Sequence, residues 1–228
     1  MVPVQTNPAQ ANPAQANPAQ ANPAQANTVQ IATEGGAALA ELDGDGAARF
    51  LLVLTHGAGG SAGAPDLLAA RDAARALGGL VARVTQPYRV RGARAPGSPV
   101  RQDAAWAEVV TALRKLAPVV PLIQGGRSNG ARVACRTAGA VGARAVIALA
   151  FPLCPPGRSP AVSRAAELRA AREGGARVLV VNGDRDPFGI PGPQDADRVV
   201  VVPGETHALK GHRAVIVDAV AEWLTTVL

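Results

Sequence analysis

Residues 119–135 read VVPLIQGGRSNGARVAC. An apolar run ends in paired glycines, a serine follows, and the segment beyond it is compatible with a helix. Gly126, Ser128 and Gly130 match the pattern G-x-S-x-G, in which a serine occupies a very tight strand-to-helix turn. The residues two positions to either side of that serine approach each other closely, so a residue without Cβ is favoured there. An ordinary glycine-rich turn is the alternative, but we predict a strained Ser128 whose hydroxyl projects from a sheet edge as a nucleophile.

The composition indicates a globular α/β domain with a core of small aliphatic side chains. The chain has 228 residues, of which 48% are hydrophobic but only 3% aromatic. Ala, Val and Leu must therefore fill the core, as they often do around buried parallel strands. The net charge is +6, and every basic residue except Lys115 and Lys210 is arginine. Because the arginines are scattered and few aromatics could stack on bases, compositional bias explains the charge better than nucleic-acid binding.

Cysteine content and hydropathy predict the compartment. Cys135 and Cys154 are too few for a disulfide framework, and we expect free thiols in a reducing environment. No stretch approaches the ~20 apolar residues that span a bilayer. The N-terminus lacks a charged region followed by an apolar one, so no secretory signal is expected. A cytoplasmic location without a membrane partner follows as an expectation.

The first residues form a tail of low complexity. Residues 7–26 are four copies of Asn-Pro-Ala-Gln-Ala. Each proline removes a hydrogen-bond donor and disfavours helix at the residue before it. We therefore predict that residues 1–27 are disordered, as a dispensable extension or an arm that binds a partner, and that one domain spans 28–228.

Strand patterns and helix patterns alternate through the rest of the chain. We expect strands at 29–32, 38–42, 50–55, 80–84, 119–124, 144–150, 177–182 and 198–202. Helices are expected at 65–77, 102–116, from the turn to about 138, at 161–173 and at 212–227, with loops at 88–101 and 152–160. This order predicts a three-layer α/β/α sandwich with a mostly parallel sheet. Ligands of such sheets bind beyond the carboxyl ends of the strands.

The loop after the 50–55 strand reads His-Gly-Ala-Gly-Gly from His56. Where a serine nucleophile is present, such a loop supplies one backbone N–H to the oxyanion, and the residue after the serine supplies another. By position these oxyanion-hole donors are Ala58 and Asn129. His56 precedes the glycines and is expected to order the loop.

The same loop also fits a dinucleotide-binding pattern. Gly57, Gly59 and Ala62 match G-x-G-x-x-A, which by itself is a weak signal. The acidic residue that would hold a ribose is absent from the end of the next strand, which reads Val-Thr-Gln-Pro over 84–87. No phosphate-binding G-x-x-x-x-G-K-[ST] motif is present either, so no cofactor is expected.

Two later loops provide a base and its carboxylate. Asp184 and Asp186 both follow the 177–182 strand, and we choose Asp186 because its spacing places it beyond the strand end. His207 follows the last strand, comes after the acid and precedes the final helix, so it can act as the base for Ser128. His212 is expected at the surface. Metal binding is not expected, because no His or Cys pair has the spacing of ligands.

At this point the chain resembles the small, capless α/β-hydrolases related to dienelactone hydrolase. It resembles more closely a bacterial predicted-hydrolase family whose animal relatives include a testis-expressed protein and a subunit of a histone-acetyltransferase complex. The resemblance is carried by THGAG at 55–59, GGRS at 125–128, FPLCPPG at 151–157, GDRDPFG at 183–189 and HALK at 207–210. It implies an α/β-hydrolase fold with little or no cap and a triad of Ser128, Asp186 and His207. Asn129 stands where that family usually has Met, and Cys154 where it often has His.

We therefore expect a serine hydrolase that cleaves a small ester or thioester through an acyl-Ser128 intermediate, without metal or cofactor. A catalytically idle binding protein and an acyltransferase with the same triad are the alternatives. The predicted loop at 88–101 lies on the active-site side and carries several arginines: Arg89, Arg91, Arg94 and Arg101. They could attract an acidic substrate or simply be solvated.

Overall fold

The computed structural model describes residues 27–44, 47–155 and 162–228. The predicted tail lies outside these residues except for Asn27. Residues 156–160 of the predicted 152–160 loop and the first residue of the helix predicted at 161–173 also lie outside them. The strands are β1 Thr28–Ile31, β2 Ala38–Asp43, β3 Phe50–Thr55, β4 Gly79–Thr85, β5 Leu122–Arg127, β6 Ala145–Leu149, β7 Arg177–Gly183 and β8 Arg198–Val202. The helices are α1 Pro65–Ala76, α2 Pro87–Val90, α3 Pro99–Arg114, α4 Asn129–Thr137, α5 Ala165–Glu173 and α6 Arg213–Val227.

The described strands form one sheet in the order β1-β2-β4-β3-β5-β6-β7-β8. β1 pairs antiparallel with β2, and β2 antiparallel with β4. All remaining neighbours are parallel, from β4 through β3 to β8. The predicted mostly parallel sheet is therefore confirmed, and the loops after β3, β4, β5, β7 and β8 emerge at the same edge.

Helices cover both faces of this sheet, and β3 is therefore buried on both sides. Phe50, Leu52 and Leu54 pack with residues of α1 and α6 in one cluster. Leu51 and Val53 point the other way and pack with α3. A third cluster joins α4 and α5 to β6 and β7. This period-two alternation of side chains produces the three layers that the sequence predicts.

Three predicted segments differ from the structure, and the first is the helix predicted at 161–173, because α5 begins only at Ala165. The segment predicted as the loop 88–101 holds the four-residue helix α2, and α3 begins inside it at Pro99. α2 is too short for a helical periodicity, although Pro87 occupies a favourable first position. β5 begins at Leu122 and runs to Arg127, later than the predicted 119–124, because Gly125 and Gly126 extend the ladder alongside β3 and β6.

No helix within residues 27–44, 47–155 and 162–228 is both long enough and apolar enough to cross a bilayer.

Candidate active site

Ser128 sits between the end of β5 and the start of α4 in a strained conformation. Its φ of 52° and ψ of −114° fall in a region that non-glycine residues rarely adopt. Its backbone N–H donates to the carbonyl of Leu149 on β6 at 2.9 Å, which holds the turn against the neighbouring strand. Strain of this kind persists only where surrounding contacts impose it, and here it projects the hydroxyl from the sheet edge.

The glycines of the G-x-S-x-G pattern are required by close backbone contacts. A Cβ on Gly126 would lie 2.4 Å from the carbonyl oxygen of Thr55 and 2.8 Å from the carbonyl carbon of Gly130. A Cβ on Gly130 would lie 2.5 Å from the oxygen of Thr55 and 2.7 Å from that of His56. The end of β3 therefore presses on the turn from one side, which explains both glycines sterically.

Three predicted site residues form one chain of hydrogen bonds. The Nε2 of His207 lies 2.9 Å from the Oγ of Ser128, and its Nδ1 lies 2.9 Å from the Oδ2 of Asp186. An ionised carboxylate can only accept, so Nδ1–H donates to Asp186 and Nε2 accepts from the serine hydroxyl. The Asp186 side chain is fully buried and that of His207 is 20% exposed. The arrangement can therefore move a proton from Ser128 to His207 while a buried charge orients the ring.

The two candidate aspartates differ in their contacts. Asp186 is held by the backbone N–H of Phe188 on Oδ1 at 2.9 Å and by Asn182 Nδ2 on Oδ2 at 3.4 Å. Asp184 is exposed and makes its backbone bond to the carbonyl of Val202. The Phe188 ring also packs on His207, with centroids 4.3 Å apart. One loop after β7 thus supplies the carboxylate and a wall for the imidazole.

Of the two predicted oxyanion-hole donors, Asn129 directly follows Ser128 and Ala58 lies in the loop after β3. Within the described residues, the backbone N–H groups of Ala58 and Asn129 donate to no protein acceptor. The N–H of Ser128 is already bonded to Leu149. A Cβ on Gly57 would lie 3.3 Å from the Cβ of Ser128, so the loop that carries Ala58 borders the serine.

Three carbonyls of the same loop accept hydrogen bonds from side chains. His56 Nδ1 donates to the oxygen of Gly57 at 2.8 Å, Tyr88 Oη to that of Ala58 at 3.1 Å, and Arg89 Nε to that of Gly60 at 3.2 Å. The carbonyl and the N–H of one peptide plane point in opposite directions. The bond from His56 to the Gly57 carbonyl therefore turns the N–H of Ala58 away from His56, and the other two bonds fix the peptides that follow. Tyr88 and Arg89 lie on α2, so sequence analysis missed this contribution.

His56 has the ordering role that its position suggests. Its Nε2 accepts from the backbone N–H of Gln86 at 3.1 Å, which assigns the ring proton to Nδ1. The residue is fully buried, and desolvation lowers the pKa of its imidazole. Both ring nitrogens are engaged away from Ser128, so a neutral His56 connects β4 to the loop after β3.

Arg127, directly before the serine, is a second residue that sequence analysis did not single out. Its Nε donates to Asp66 Oδ2 at 2.8 Å, and its Nη2 donates to the carbonyl oxygen of His207 at 2.6 Å. The Asp66 side chain is fully buried in the first turn of α1. Burial raises the pKa of this carboxyl, and Arg127 opposes that shift. The guanidinium therefore links α1, the nucleophile turn and the loop of the base.

The remaining candidate groups are not hydrogen-bonded to Ser128, His207 or Asp186. His212 bonds Glu205 through Nδ1 at 3.0 Å and is half exposed. The Nδ2 of Asn129 is buried and has no protein partner among the described residues. In the same residues, no group of three His, Cys, Asp or Glu side chains is arranged to hold a metal ion.

Comparisons with known proteins place this geometry in a family. The family model described as "Alpha/beta hydrolase domain" matches residues 48–199. No curated protein matches the sequence. Solved structures with a similar fold include Est1E from Butyrivibrio proteoclasticus, at 18% identity and a TM-score of 0.69, covering 88% of this chain and 98% of that one.

Two further structures have the same fold. XC6422 from Xanthomonas campestris, described as an α/β serine hydrolase without lid, is 20% identical with a TM-score of 0.64, over 86% of this chain and 94% of that one. Dienelactone hydrolase from Anabaena variabilis is 16% identical with a TM-score of 0.68, over 88% and 97%. Since the family model covers more than half of the chain, the protein belongs to the α/β hydrolase family.

Proposed function

We propose that the protein is a serine hydrolase that cleaves a small ester or thioester, with Ser128 as nucleophile, His207 as base and Asp186 as the carboxylate that orients it. The observation that carries the proposal is the hydrogen-bonded chain of these three residues, with both links at 2.9 Å. Such a chain matters here because its serine also occupies the strained turn of a G-x-S-x-G pattern. Family membership adds support for hydrolysis.

In the proposed reaction, the Oγ of Ser128 attacks the carbonyl carbon while its proton passes to Nε2 of His207. The resulting oxyanion receives hydrogen bonds from the N–H groups of Ala58 and Asn129. Collapse breaks the bond to the alcohol or thiol, which takes the proton from His207 and leaves an acyl-Ser128. Water then repeats the sequence and releases the acid. Asp186 stays ionised and stabilises the imidazolium that forms twice in each cycle.

The oxyanion interaction would contribute a large share of the rate. Removal of one such donor typically costs about 100- to 1,000-fold in kcat. Ala58 and Asn129 suit this role because their N–H groups have no acceptor among the described residues and because side chains hold the loop carbonyls. These donors also need no metal ion or cofactor to act.

The proposed class of substrate is based on the names of structures with a similar fold. One of them is described as Est1E with bound ferulic acid, and another as a dienelactone hydrolase. Both names concern esters or their products, so we propose a carboxylic ester or thioester for this chain. A relation to the bacterial family with testis-expressed and acetyltransferase-complex relatives, and a cytoplasmic location, belong to the same proposal. The free thiols Cys135 and Cys154 are consistent with that location.

A fluorophosphonate probe, which reacts with activated serines, tests the proposal directly. The wild-type protein should become labelled, and Ser128→Ala should not. Ser61→Ala is the matched control, because Ser61 is an exposed serine in a loop at the same sheet edge and should leave labelling unchanged. Failure of the folded wild type to label, together with no hydrolysis of short p-nitrophenyl esters, would indicate an idle binding protein.

A further inference from the structure

A cleft of about 790 Å³ opens beside α2. Its walls come from the turn 34–36 between β1 and β2, from α2, from the segment 91–98 and from the first turns of α3. The volume lies within the roughly 300–1,000 Å³ of small-molecule sites. Ser128, Asp186 and His207 are not among the residues that line it. The cleft is therefore separate from the space at the proposed catalytic residues.

Two arginines and one glutamate line the cleft, so its charged residues are mainly basic. The segment 87–102 contains four arginines and no Asp or Glu. Arg91 and Arg101 line the cleft, and no carboxylate among the described residues forms an ion pair with either. The acidic lining residue is Glu34, which precedes the glycine whose carbonyl accepts a hydrogen bond from Arg91. Guanidinium groups without carboxylate partners in a concave space favour an anionic ligand.

The polar groups around the cleft are held in place before any ligand arrives. Arg91 donates through Nη1 to the carbonyl of Gly35, which fixes its guanidinium against the 34–36 turn. Buried amides also line the cleft: Gln102 Nε2 donates to Gln86 Oε1 at 2.8 Å, and Gln86 Nε2 donates to Thr55 Oγ1 at 3.1 Å. The rest of the lining is mainly Ala, Pro and Gly. A small molecule with one anionic group and an apolar body fits this chemistry.

The cleft also adjoins the residues that hold the loop after β3. Tyr88 lines the cleft, and its hydroxyl donates to the carbonyl of Ala58 at 3.1 Å. Burial raises the pKa of Tyr88 to about 12, so this hydroxyl remains a donor at neutral pH. Its ring meets His56 edge-on at 5.8 Å, and His56 in turn holds the oxygen of Gly57. A ligand against Tyr88 therefore contacts the support of a proposed oxyanion-hole residue.

We propose that this cleft binds a small molecule that carries a phosphate or carboxylate group, and that its occupant modulates the site through Tyr88. Arg91 and Arg101 bind the anionic group, and the apolar lining contacts the remainder. The binding of the anion does not depend on catalysis, whereas the modulation rests on the proposed hydrolase function. Because coupling between two sites is reciprocal, a ligand of the cleft that changes the loop after β3 must itself bind with an affinity that depends on the conformation of that loop.

Calorimetric titration at constant ionic strength tests the binding half. Inorganic phosphate and glutarate serve as the two anionic probes, and glutaramide as the neutral counterpart. We expect saturable binding of at least one anion, at about 1 mM or tighter, and none of the amide. The double variant Arg91→Gln/Arg101→Gln should bind at least about tenfold more weakly, because each lost contact is charge-assisted. Arg114→Gln, on the same helix as Arg101 but at its far end, should bind normally.

Absence of saturable binding by both anions, or equal affinity of the double variant, would overturn the site. The modulation is tested with the anion that binds, by its effect on the rate of fluorophosphonate labelling of Ser128. We expect the bound anion to change that rate at least about twofold in the wild type but not in Tyr88→Phe, which keeps the ring and loses the bond to Ala58. An unchanged rate in the wild type would overturn the modulation. A wild type that binds the anion but never labels would instead reject the hydrolase function.

Discussion

Arg127 donates a hydrogen bond from Nη2 to the backbone carbonyl of His207, at 2.6 Å. Its Nε is bonded at the same time to the buried carboxylate of Asp66 on α1. The residue before the proposed nucleophile is thus tied to the backbone of the proposed base. Since both partners are fixed by this one planar group, the distance between Ser128 and His207 depends on it.

Arg127→Gln should therefore reduce kcat by about 100-fold with little change in KM, because small misplacement of a reacting group is that costly. Arg127→Lys should recover only part of the loss, since an ammonium cannot hold both partners in one plane. Steady-state kinetics on a short p-nitrophenyl ester measures both variants.

Arg132→Gln is the matched control for this prediction. Arg132 forms a similar two-bond pair with Glu167 on α5, at 2.9 and 2.6 Å, but does not contact the loop of the base. It should lose some stability and keep its kcat. An equal loss of kcat in the two glutamine variants would show that Arg127 acts only through general stability.

The assignment of the carboxylate predicts a large difference between two neighbouring positions. Asp186→Asn should lower kcat by about 10,000-fold, because an amide no longer holds Nδ1–H of His207 and stabilises no imidazolium. Asp184→Asn should stay within a few-fold of the wild type, since Asp184 is exposed. The same ester assay compares them, and a larger defect at position 184 would transfer the role to that residue.

The steric account of the turn predicts a loss of stability from a single methyl group. Gly130→Ala should destabilise the fold by about 1–3 kcal/mol, or more if the backbone cannot shift, because its Cβ would meet two carbonyl oxygens within 2.7 Å. Helix propensity alone would favour alanine at this position in α4. Urea denaturation measures the change.

Gly63→Ala is the control for that variant, because a Cβ there would meet only the hydroxyl of Ser61, at 3.9 Å. It should change the free energy of unfolding by less than about 0.5 kcal/mol. Similar destabilisation of both variants would contradict the steric explanation.

We expect the carboxylate of Glu205 to make a pH-dependent contribution to stability. Burial acts to raise the pKa of this carboxyl, but hydrogen bonds from His212, Gly211 and Lys210 outweigh it and the pKa is lowered. A depressed pKa in the folded state means that the ionised form stabilises the fold above the unfolded value of about 4.3. The contribution is lost as the pH falls through the folded value.

Glu205→Gln should therefore lower Tm by about 2–4 °C at pH 7, and the gap to the wild type should close in acid. Glu222→Gln is the control, because Glu222 is exposed and its ion pair, with Arg198 at 2.6 Å, lies at the surface. Thermal melts across the acid range measure both. A gap for Glu205→Gln that widens as the pH falls would contradict the sign of the pKa shift.

Local patterns were sufficient for much of the fold. β3 has the predicted bounds, Phe50–Thr55, because a central parallel strand buried on both faces must be apolar throughout. The tight turn around Ser128 could also be predicted, because a backbone contact that excludes Cβ requires glycine at that position of the sequence. The order of the serine, carboxylate and histidine along the chain then indicated which loops to compare.

The amino-acid sequence by itself determined the parallel sheet, the strained serine and the three loops that meet at its edge. Only the tertiary structure decided that Asp186 faces His207, that Tyr88 of α2 holds the carbonyl of Ala58, and that Arg127 joins partners 61 and 80 positions away. The physical reason is range. Hydrophobic periodicity and turn chemistry record what each segment buries locally, whereas side-chain contacts across the sheet edge depend on how separate loops pack together.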